Sequence, residues 1–228
     1  MALRSTPGTS RRAALRVILS LGWLVLLTAT AGAESVTRLV SLMGTWFELV
    51  VEAPRSDAAS AAGEAAVRAA AAAESRLSTW QTESELARLN RSPVGDRIAL
   101  SPELARDLGE AAGWWRETGG AFHPGLAALV QAWDLRGAGR EPSEVELAAA
   151  RAAIRMELLE LDADSARRLD RGFGFEEGGF GKGVALRCAA DAALAAGATC
   201  VALDLGGQLH LAGSCAVRSV AIADRQGV

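Results

Sequence analysis

The stretch FEEGGFGKG, residues 175–183, combines the side chains and glycines that anion binding requires. It places two carboxylates, Glu176 and Glu177, and three glycines ahead of Lys182, which is the only lysine of the chain. Glycines let a backbone come close to a ligand, and an ammonium group offsets anionic charge. We therefore consider the stretch a candidate phosphate site, with a tight strand-to-helix turn carrying a solvated lysine as the alternative.

Two widespread phosphate-binding patterns do not fit this stretch. A P-loop needs a glycine where Glu176 stands and a serine or threonine where Gly183 stands. The dinucleotide pattern Gly-x-Gly-x-x-Gly starts at Gly172 but ends on Glu177 instead of a glycine. A helix-like run over 184–197 follows, and free N–H groups at a helix N-terminus favour anions. The stretch thus predicts anion binding outside either of these two classes of protein.

Other common chemistries lack their residues in this chain. The only histidines are His123 and His210, and no Gly-x-Ser-x-Gly occurs, which argues against a serine hydrolase and against a histidine-based metal site. Cys188, Cys200 and Cys215 are widely spaced, with no CxxC pair. One disulfide is possible outside the cytoplasm, and a buried free thiol is the alternative for at least one of the three.

Residues 1–33 have the features of an export signal. An arginine-bearing segment precedes the apolar run VILSLGWLVLLTATA, and Ala31 and Ala33 form a small-x-small cleavage site. Arg11 and Arg12 ahead of the run suggest the twin-arginine route. The alternative is an uncleaved anchor, but the run is short for a bilayer span. We expect an exported, periplasmic or cell-envelope protein with no stable membrane span after cleavage.

Removing this segment would make the protein more acidic. The formal net charge of −3 includes four arginines and no acid within residues 1–33, so cleavage leaves −3 − 4 = −7. A mature protein of this charge is not expected to have nucleic acid as its main partner.

The remaining chain alternates only partly between strand and helix patterns. Strands are predicted over 44–53, 97–100, 156–162, 167–175, 200–207, 208–213 and 217–223. Helices are predicted over 57–77, from the Ser101-Pro102 start to Gly119, from the Ser143 capping box onward, and over 184–197. This order predicts an α+β fold with mixed, mostly antiparallel sheets flanked by helices.

Five short stretches stand in an order that is typical of one family. They are MGTWFE from Met43, RLSTWQTESELARLN from Arg76, TGGAFHPGLAALVQAWDL from Thr118, EEGGFGKG from Glu176 and LDLGGQLHLAG from Leu203. In order and spacing they resemble the FAD:protein FMN transferase family, also called the ApbE family. The resemblance covers the chain from about Met43 to its last residue and implies a T-fold-like domain over 34–228.

The resemblance also implies an activity. Members of the family split the pyrophosphate of FAD and attach FMN through a phosphoester to a threonine or serine of a target protein, releasing AMP. A magnesium ion assists. Such a transfer needs the phosphate charges neutralised and the nucleophile placed in line, and magnesium prefers oxygen ligands. The implied partners are therefore FAD, Mg²⁺ and a target protein with an acceptor hydroxyl.

The site residues that the resemblance implies are carried over position by position. Those implied to contact FAD are Met43, Trp80, Ala121, Phe122, His123, Glu176 and Lys182. Trp80 stands where the family usually has tyrosine and would stack on a FAD ring system. Gly179 stands where the family has a magnesium ligand, here through its carbonyl oxygen. The catalytic groups are not identified by the sequence.

The chain also departs from the family pattern. His123 and Glu176 each stand where the family has aspartate, and Arg187 replaces an aspartate that often follows Lys-Gly. A stretch of the type His-x-x-Asp-Pro-x-Thr-Gly and later magnesium ligands are not found before Val228, so we expect the domain to be incomplete at its C-terminus. The expected function is a flavin transferase. The alternatives are a non-catalytic FAD-binding homologue or inactive fragment, and a purely structural origin of the motifs.

Overall fold

The computed structural model describes residues 33–216 and 219–220. These residues belong to one compact unit that spans Gly32–Val228. The predicted export signal, apart from Ala33, and most of the predicted strand over 217–223 lie outside the described residues. Within the described part of the chain, no helix has the length and apolar character needed to cross a bilayer.

Seven strands and six helices make up the described fold. The strands are β1 (Glu34–Leu42), β2 (Thr45–Ala53), β3 (Arg97–Ala99), β4 (Leu159–Leu161), β5 (Ser165–Arg168), β6 (Cys200–Leu205) and β7 (Gln208–Gly213). The helices are α1 (Ser56–Leu77), α2 (Glu85–Arg91), α3 (Pro102–Glu117), α4 (Ala127–Ala132), α5 (Glu144–Ala153) and α6 (Gly181–Ala195). Short 3₁₀ turns occur at Met156–Leu158 and Glu177–Gly179.

All strand pairs are antiparallel and form two sheets. The larger sheet has the order β1-β2-β6-β7, and the smaller one has the order β3-β5-β4. On β2, alternate side chains from Phe47 to Ala53 are fully buried beneath helix α1, as a period of two predicts for a half-covered sheet, and α6 packs on β6 and β7. The α+β prediction with antiparallel sheets flanked by helices is confirmed.

Helices α1 and α6 meet through small side chains. The buried face of α1 consists of alanines and Gly63 before it ends at Leu77, and four alanines between Ala185 and Ala193 are buried on α6. Small side chains let two helix backbones approach closely, and extensive contacts join this pair. The seam fixes α6 on the larger sheet with its N-terminus at one end of that sheet.

The sequence predictions for local structure are mostly confirmed, with several corrections. Helices α2 and α4 were not predicted, and the strand predicted over 156–162 is wrong at Met156–Leu158, which form a 3₁₀ turn ahead of β4. Strand β1 was not predicted, although Val36, Val40 and Leu42 alternate on one face. The strand predicted over 167–175 is wrong beyond Arg168, because the Asp170 carboxylate accepts a hydrogen bond from the Gly172 N–H and turns the chain. The N-caps at Ser101 and Ser143 form as predicted.

A disulfide joins Cys200 and Cys215, and Cys188 is a free thiol on α6. The disulfide lies on the face of the larger sheet opposite the helices, where it ties the segment after β7 back onto β6. On this face Trp46 is 62% exposed and Leu39 is 58% exposed, so the open side of the sheet is unusually apolar.

Candidate functional site

Two tight hairpin turns lie side by side at one end of the larger sheet. Met43 and Gly44 connect β1 to β2, and Gly206 and Gly207 connect β6 to β7. All four residues have positive φ, which is the conformation of two-residue hairpins that match the twist of a sheet. Met43 is a non-glycine residue at φ +49°. The Met43 N–H donates a hydrogen bond to the Glu74 carboxylate of α1 at 2.9 Å, and this bond holds the turn in place.

Lys182 lies in the first turn of α6, against these hairpins. A Cβ on Gly206 would come within 3.3 Å of its Nζ, and a Cβ on Gly181 would come within 3.2 Å of the Met43 Cε. Among the described residues, the Lys182 ammonium has no hydrogen bond or ion pair, and no side chain caps the start of α6. An unpaired cation and free helix N–H groups therefore face the same end of the sheet.

The loop that leads into α6 is tied to two other sequence motifs. The Asn90 side chain on α2 accepts from the Phe175 N–H at 2.8 Å and donates to the Phe175 carbonyl at 2.9 Å. The Glu176 N–H donates to the Pro124 carbonyl at 2.8 Å. The motifs around Ser84, Ala121 and Glu176, which are distant in sequence, are thereby joined at one place.

The two carboxylates of the loop have different surroundings. Glu177 is buried and accepts hydrogen bonds from the Thr79 N–H, at 3.1 Å, and from the Thr79 hydroxyl. Glu176 is partly buried and forms an ion pair with Arg136, at 2.7 Å. The Arg136 guanidinium also lies over the Trp80 ring, 4.9 Å from the ring centre.

The electrostatics of Glu176 reflect this arrangement. Burial raises the pKa of the Glu176 carboxyl above its usual value, and the adjacent Glu177 carboxylate raises it further. The hydrogen bond from Arg136 and its positive charge oppose that rise. Glu176 is thus a carboxylate whose ionisation depends on one arginine.

A cleft of about 570 Å³ opens beside the loop, and we call it the lysine cleft. Its lining includes Met43, Glu74, Trp80, Glu176, Glu177 and Lys182. It combines an exposed indole with a cation and backbone glycines. This set of groups suits a ligand that carries both an aromatic ring and an anionic group.

A second cleft, of about 530 Å³, lies on the other side of the loop, and we call it the aromatic cleft. Its lining includes Trp114, Phe122, Gly179, Phe180 and Arg187. Arg187, a departure from the family pattern, pairs at 3.2 Å with both Asp107 and Glu110. It shares the Asp107 carboxylate with Arg76, which pairs with it at 2.7 Å.

The structure distributes the predicted site residues around the loop. Met43, Trp80, Glu176 and Lys182 line the lysine cleft, and Phe122 and Gly179 line the aromatic cleft. These placements bring six of the eight predicted residues to one region.

The other two predicted residues lie in the segment before Pro124. Ala121 is exposed in the turn after α3. The His123 ring lies edge-on to Trp115, with ring centres 6.2 Å apart, and its Nδ1 accepts from the Gly125 N–H at 3.0 Å. Burial lowers the pKa of His123, which favours the neutral ring.

The acidic side chains around Gly179 bear on the predicted magnesium contact. No group of three or more histidine, cysteine or acidic side chains suited to a metal ion occurs in residues 33–216 and 219–220. Glu176 and Glu177, the acids nearest Gly179 in sequence, are engaged with Arg136 and Thr79. The magnesium contact of the Gly179 carbonyl therefore stays a prediction, without such a group among the described residues.

Three residues of the site were not predicted from the sequence. Glu74 fixes the Met43 turn, Thr79 holds Glu177, and Arg136 holds Glu176. Thr79 precedes the predicted Trp80, so its place could have been inferred from that neighbour. Glu74 lies in the predicted helix over 57–77, and Arg136 directly follows the stretch from Thr118, but neither position matches a residue that the resemblance implies to contact FAD or magnesium.

Comparison with known proteins gives a consistent family assignment. The model of the ApbE family matches residues 43–226. A search of curated proteins finds no match.

Several solved structures share the fold. The flavinyl transferase ApbE of Pseudomonas stutzeri in its apo form has a TM-score of 0.70 and 22% identity, covering 79% of this chain and 59% of that one. The flavin transferase ApbE from Vibrio cholerae has a TM-score of 0.71 and 23% identity, covering 86% of this chain and 62% of that one. The ApbE protein from Thermotoga maritima has a TM-score of 0.71 and 20% identity, covering 78% of this chain and 59% of that one. The match thus spans about 60% of the length of these structures.

Proposed function

Because the chain belongs to the ApbE family, we propose that it is a flavin transferase that binds FAD at the lysine cleft. The proposed reaction cleaves FAD and attaches FMN through a phosphoester to a threonine or serine of a target protein. The acceptor hydroxyl oxygen bonds to the FMN phosphorus and loses its proton to solvent. The bond from that phosphorus to the bridging oxygen breaks, and AMP leaves with that oxygen.

The observation that carries this proposal is the position of Lys182. Its unpaired ammonium lies beside two tight hairpins and the uncapped start of α6, within a cleft that also presents the Trp80 indole. In this proposal Lys182 and the helix N–H groups bind the pyrophosphate, and Trp80 stacks on a ring of FAD. Met43 packs against the nucleotide from the β1–β2 turn.

The first test is binding of FAD and of riboflavin, which lacks phosphate. Lys182→Ala is expected to weaken FAD binding by about 10- to 150-fold, the equivalent of roughly 1.5–3 kcal/mol for a charged hydrogen bond. Riboflavin binding should change little, because it offers no anion to the ammonium group.

Arg55→Ala is a charge-matched control for this test. Arg55 follows β2 at the end of the sheet opposite the hairpin turns, so its removal changes the net charge equally but leaves the lysine cleft intact. Equal losses of FAD binding in the two variants would refute a specific role for Lys182.

A second candidate is an FAD-binding protein without transfer activity. It is favoured by the finding that the described residues do not assemble a group of three or more metal-binding side chains. Incubation with FAD and a target protein that carries the acceptor threonine, with and without magnesium, separates the two candidates. Release of AMP together with a fluorescent target band supports transfer. FAD binding without AMP release supports the second candidate.

We also propose that the protein acts outside the cytoplasm, in the periplasm or cell envelope. The predicted signal over 1–33 and the Cys200–Cys215 disulfide support this, since disulfides persist in oxidising compartments. N-terminal sequencing of the exported material should start at Glu34. Material that retains Met1 would contradict cleavage.

A further inference from the structure

Arg136 contacts groups around the lysine cleft without lining it. Its guanidinium donates to the Thr79 carbonyl and to the Glu176 carboxylate, both at 2.7 Å, and covers the Trp80 ring. Trp80 lines the lysine cleft, whereas Arg136 lines a separate cleft of about 380 Å³ between α2 and α4. Glu176 lines both clefts. Arg136 therefore stands behind Trp80 and Glu176 when viewed from the lysine cleft.

The Trp80 side chain needs such support because it is 65% exposed. An exposed indole between a helix and a loop has several rotamers available to it, and each of them would present a different face to a ligand. A guanidinium over one face favours the rotamer seen here. The opposite face is then left open to the lysine cleft.

The segment that carries Arg136 is itself firmly held. The Leu135 N–H donates to the Val130 carbonyl at 3.0 Å, and the Arg140 N–H donates to the Trp133 carbonyl at 2.9 Å. The Arg140 side chain forms two hydrogen bonds with Glu146 on α5, at 2.8 and 3.0 Å. Arg136 thus projects from a closed loop that is anchored on both sides.

Arg136 also provides the charge that faces Glu176. Burial and the Glu177 carboxylate both raise the pKa of Glu176, and the guanidinium of Arg136 acts against them. Lys182, which lines the lysine cleft, makes no ion pair with any described carboxylate. Removing Arg136 should therefore move protonation of Glu176 toward neutral pH.

We propose that Arg136 is a positioning residue of the FAD site, which backs the Trp80 indole and holds the Glu176 carboxylate without touching the ligand. This inference rests on the proposed function, because the two groups matter to FAD only if the lysine cleft binds it. Arg136 would then determine which face of the Trp80 ring contacts the nucleotide, and whether the Glu176 carboxyl is ionised when the nucleotide binds.

The test compares binding of FAD, riboflavin and adenosine to the wild type and to variants. Arg136→Ala should weaken FAD binding by about 3- to 10-fold, as expected for partly exposed cation–π and ion-pair contacts. Trp80→Ala should weaken binding of either riboflavin or adenosine, according to which ring of FAD the indole stacks on. Arg136→Ala should weaken binding of that same ligand. The two losses should be less than additive in the double variant, since Arg136 acts partly through Trp80.

The pH dependence separates positioning from a general loss of structure. In Arg136→Ala, the loss of FAD affinity on acidification should begin at a higher pH than in the wild type. Arg136→Lys keeps a charge near Glu176 and should restore the wild-type profile. Arg55→Ala removes an arginine that pairs with Asp57 at the opposite end of the larger sheet, so it is the charge-matched control and should bind all three ligands normally.

The outcomes are distinguishable. If Arg136→Ala weakens FAD but neither ring-only ligand, Arg136 contacts the phosphates and the positioning role is wrong. An unchanged affinity and pH profile in Arg136→Ala, with FAD binding by the wild type, refutes this inference alone. Absence of FAD binding by the wild type refutes the proposed function and the inference together.

Discussion

Replacing Gly206 by alanine tests whether the tight β6–β7 turn positions Lys182. Gly206 has φ +59°, and a Cβ there would lie 2.8 Å from both Oγ1 and Cγ2 of Thr45 and 3.3 Å from the Lys182 Nζ. Rotation of Thr45 about χ1 cannot relieve this, because two γ atoms occupy two of three staggered positions and one always faces the new methyl group. The lysine can move, since its Nζ is the free end of a flexible chain.

Gly207 is the matched control in the same turn. It has φ +86°, but a Cβ there would meet no atom within 4 Å. Both alanine variants incur the left-handed backbone cost of about 1–2 kcal/mol. Only Gly206→Ala adds an overpacking cost, roughly 1–3 kcal/mol.

These costs convert to melting temperatures that can be measured. For a domain of this size 1 kcal/mol shifts the melting temperature by about 2–4 °C, so Gly207→Ala should lose about 2–8 °C and Gly206→Ala about 4–20 °C. FAD affinity should fall in Gly206→Ala, because its methyl group displaces the ammonium of Lys182, and should stay unchanged in Gly207→Ala. Equal melting temperatures and equal FAD affinities for the two variants would refute the reasoning.

Three further predictions concern strain, charge and cross-linking. Met43→Asn should raise the melting temperature by about 2–4 °C, since asparagine tolerates positive φ better than methionine. The same change should weaken FAD binding in a titration, and an unchanged affinity would show that the methionine side chain does not contact the nucleotide. Glu176→Gln should be more stable than the wild type near pH 7 and equal to it near pH 3 in urea unfolding. The raised pKa of Glu176 means that its ionisation destabilises the fold as pH rises through that pKa, so a lower stability of the variant at pH 7 would contradict it. Cys215→Ser should lower the free energy of unfolding by about 3 kcal/mol for a loop of this length, and the melting temperature by roughly 6–12 °C. A reductant should lower the melting temperature of the wild type by the same amount.

Local patterns predicted much of the fold because they act over a few residues. The Ser143 capping box and the Ser101-Pro102 start were identified correctly, since each cap is determined by residues within one turn. Strand β1 was missed although its period-two alternation was visible. It begins at Glu34, immediately after the predicted export signal, where Arg38 interrupts the apolar face and instead pairs with Glu64 of α1.

The candidate site was less predictable, because its supporting contacts cross long sequence distances. The resemblance to the ApbE family implied that Lys182 and Trp80 contact one ligand, and both line the lysine cleft. The family model confirms the resemblance itself. Nothing local in the segment around Arg136 indicates that it would reach Thr79, 57 residues away. Such a contact depends on how α4 packs, which no short pattern specifies.

The alanine-lined seam between α1 and α6 has a consequence for how a ligand would bind. Alanine has no side-chain rotamers to lose, so holding α6 on the sheet costs little conformational entropy beyond that of the backbone. The start of α6, where we propose that the pyrophosphate binds, is therefore ordered before any ligand arrives, and binding free energy is not consumed in ordering it. If FAD binds as proposed, the backbone around Lys182 should shift by about 1 Å or less between the free and bound states.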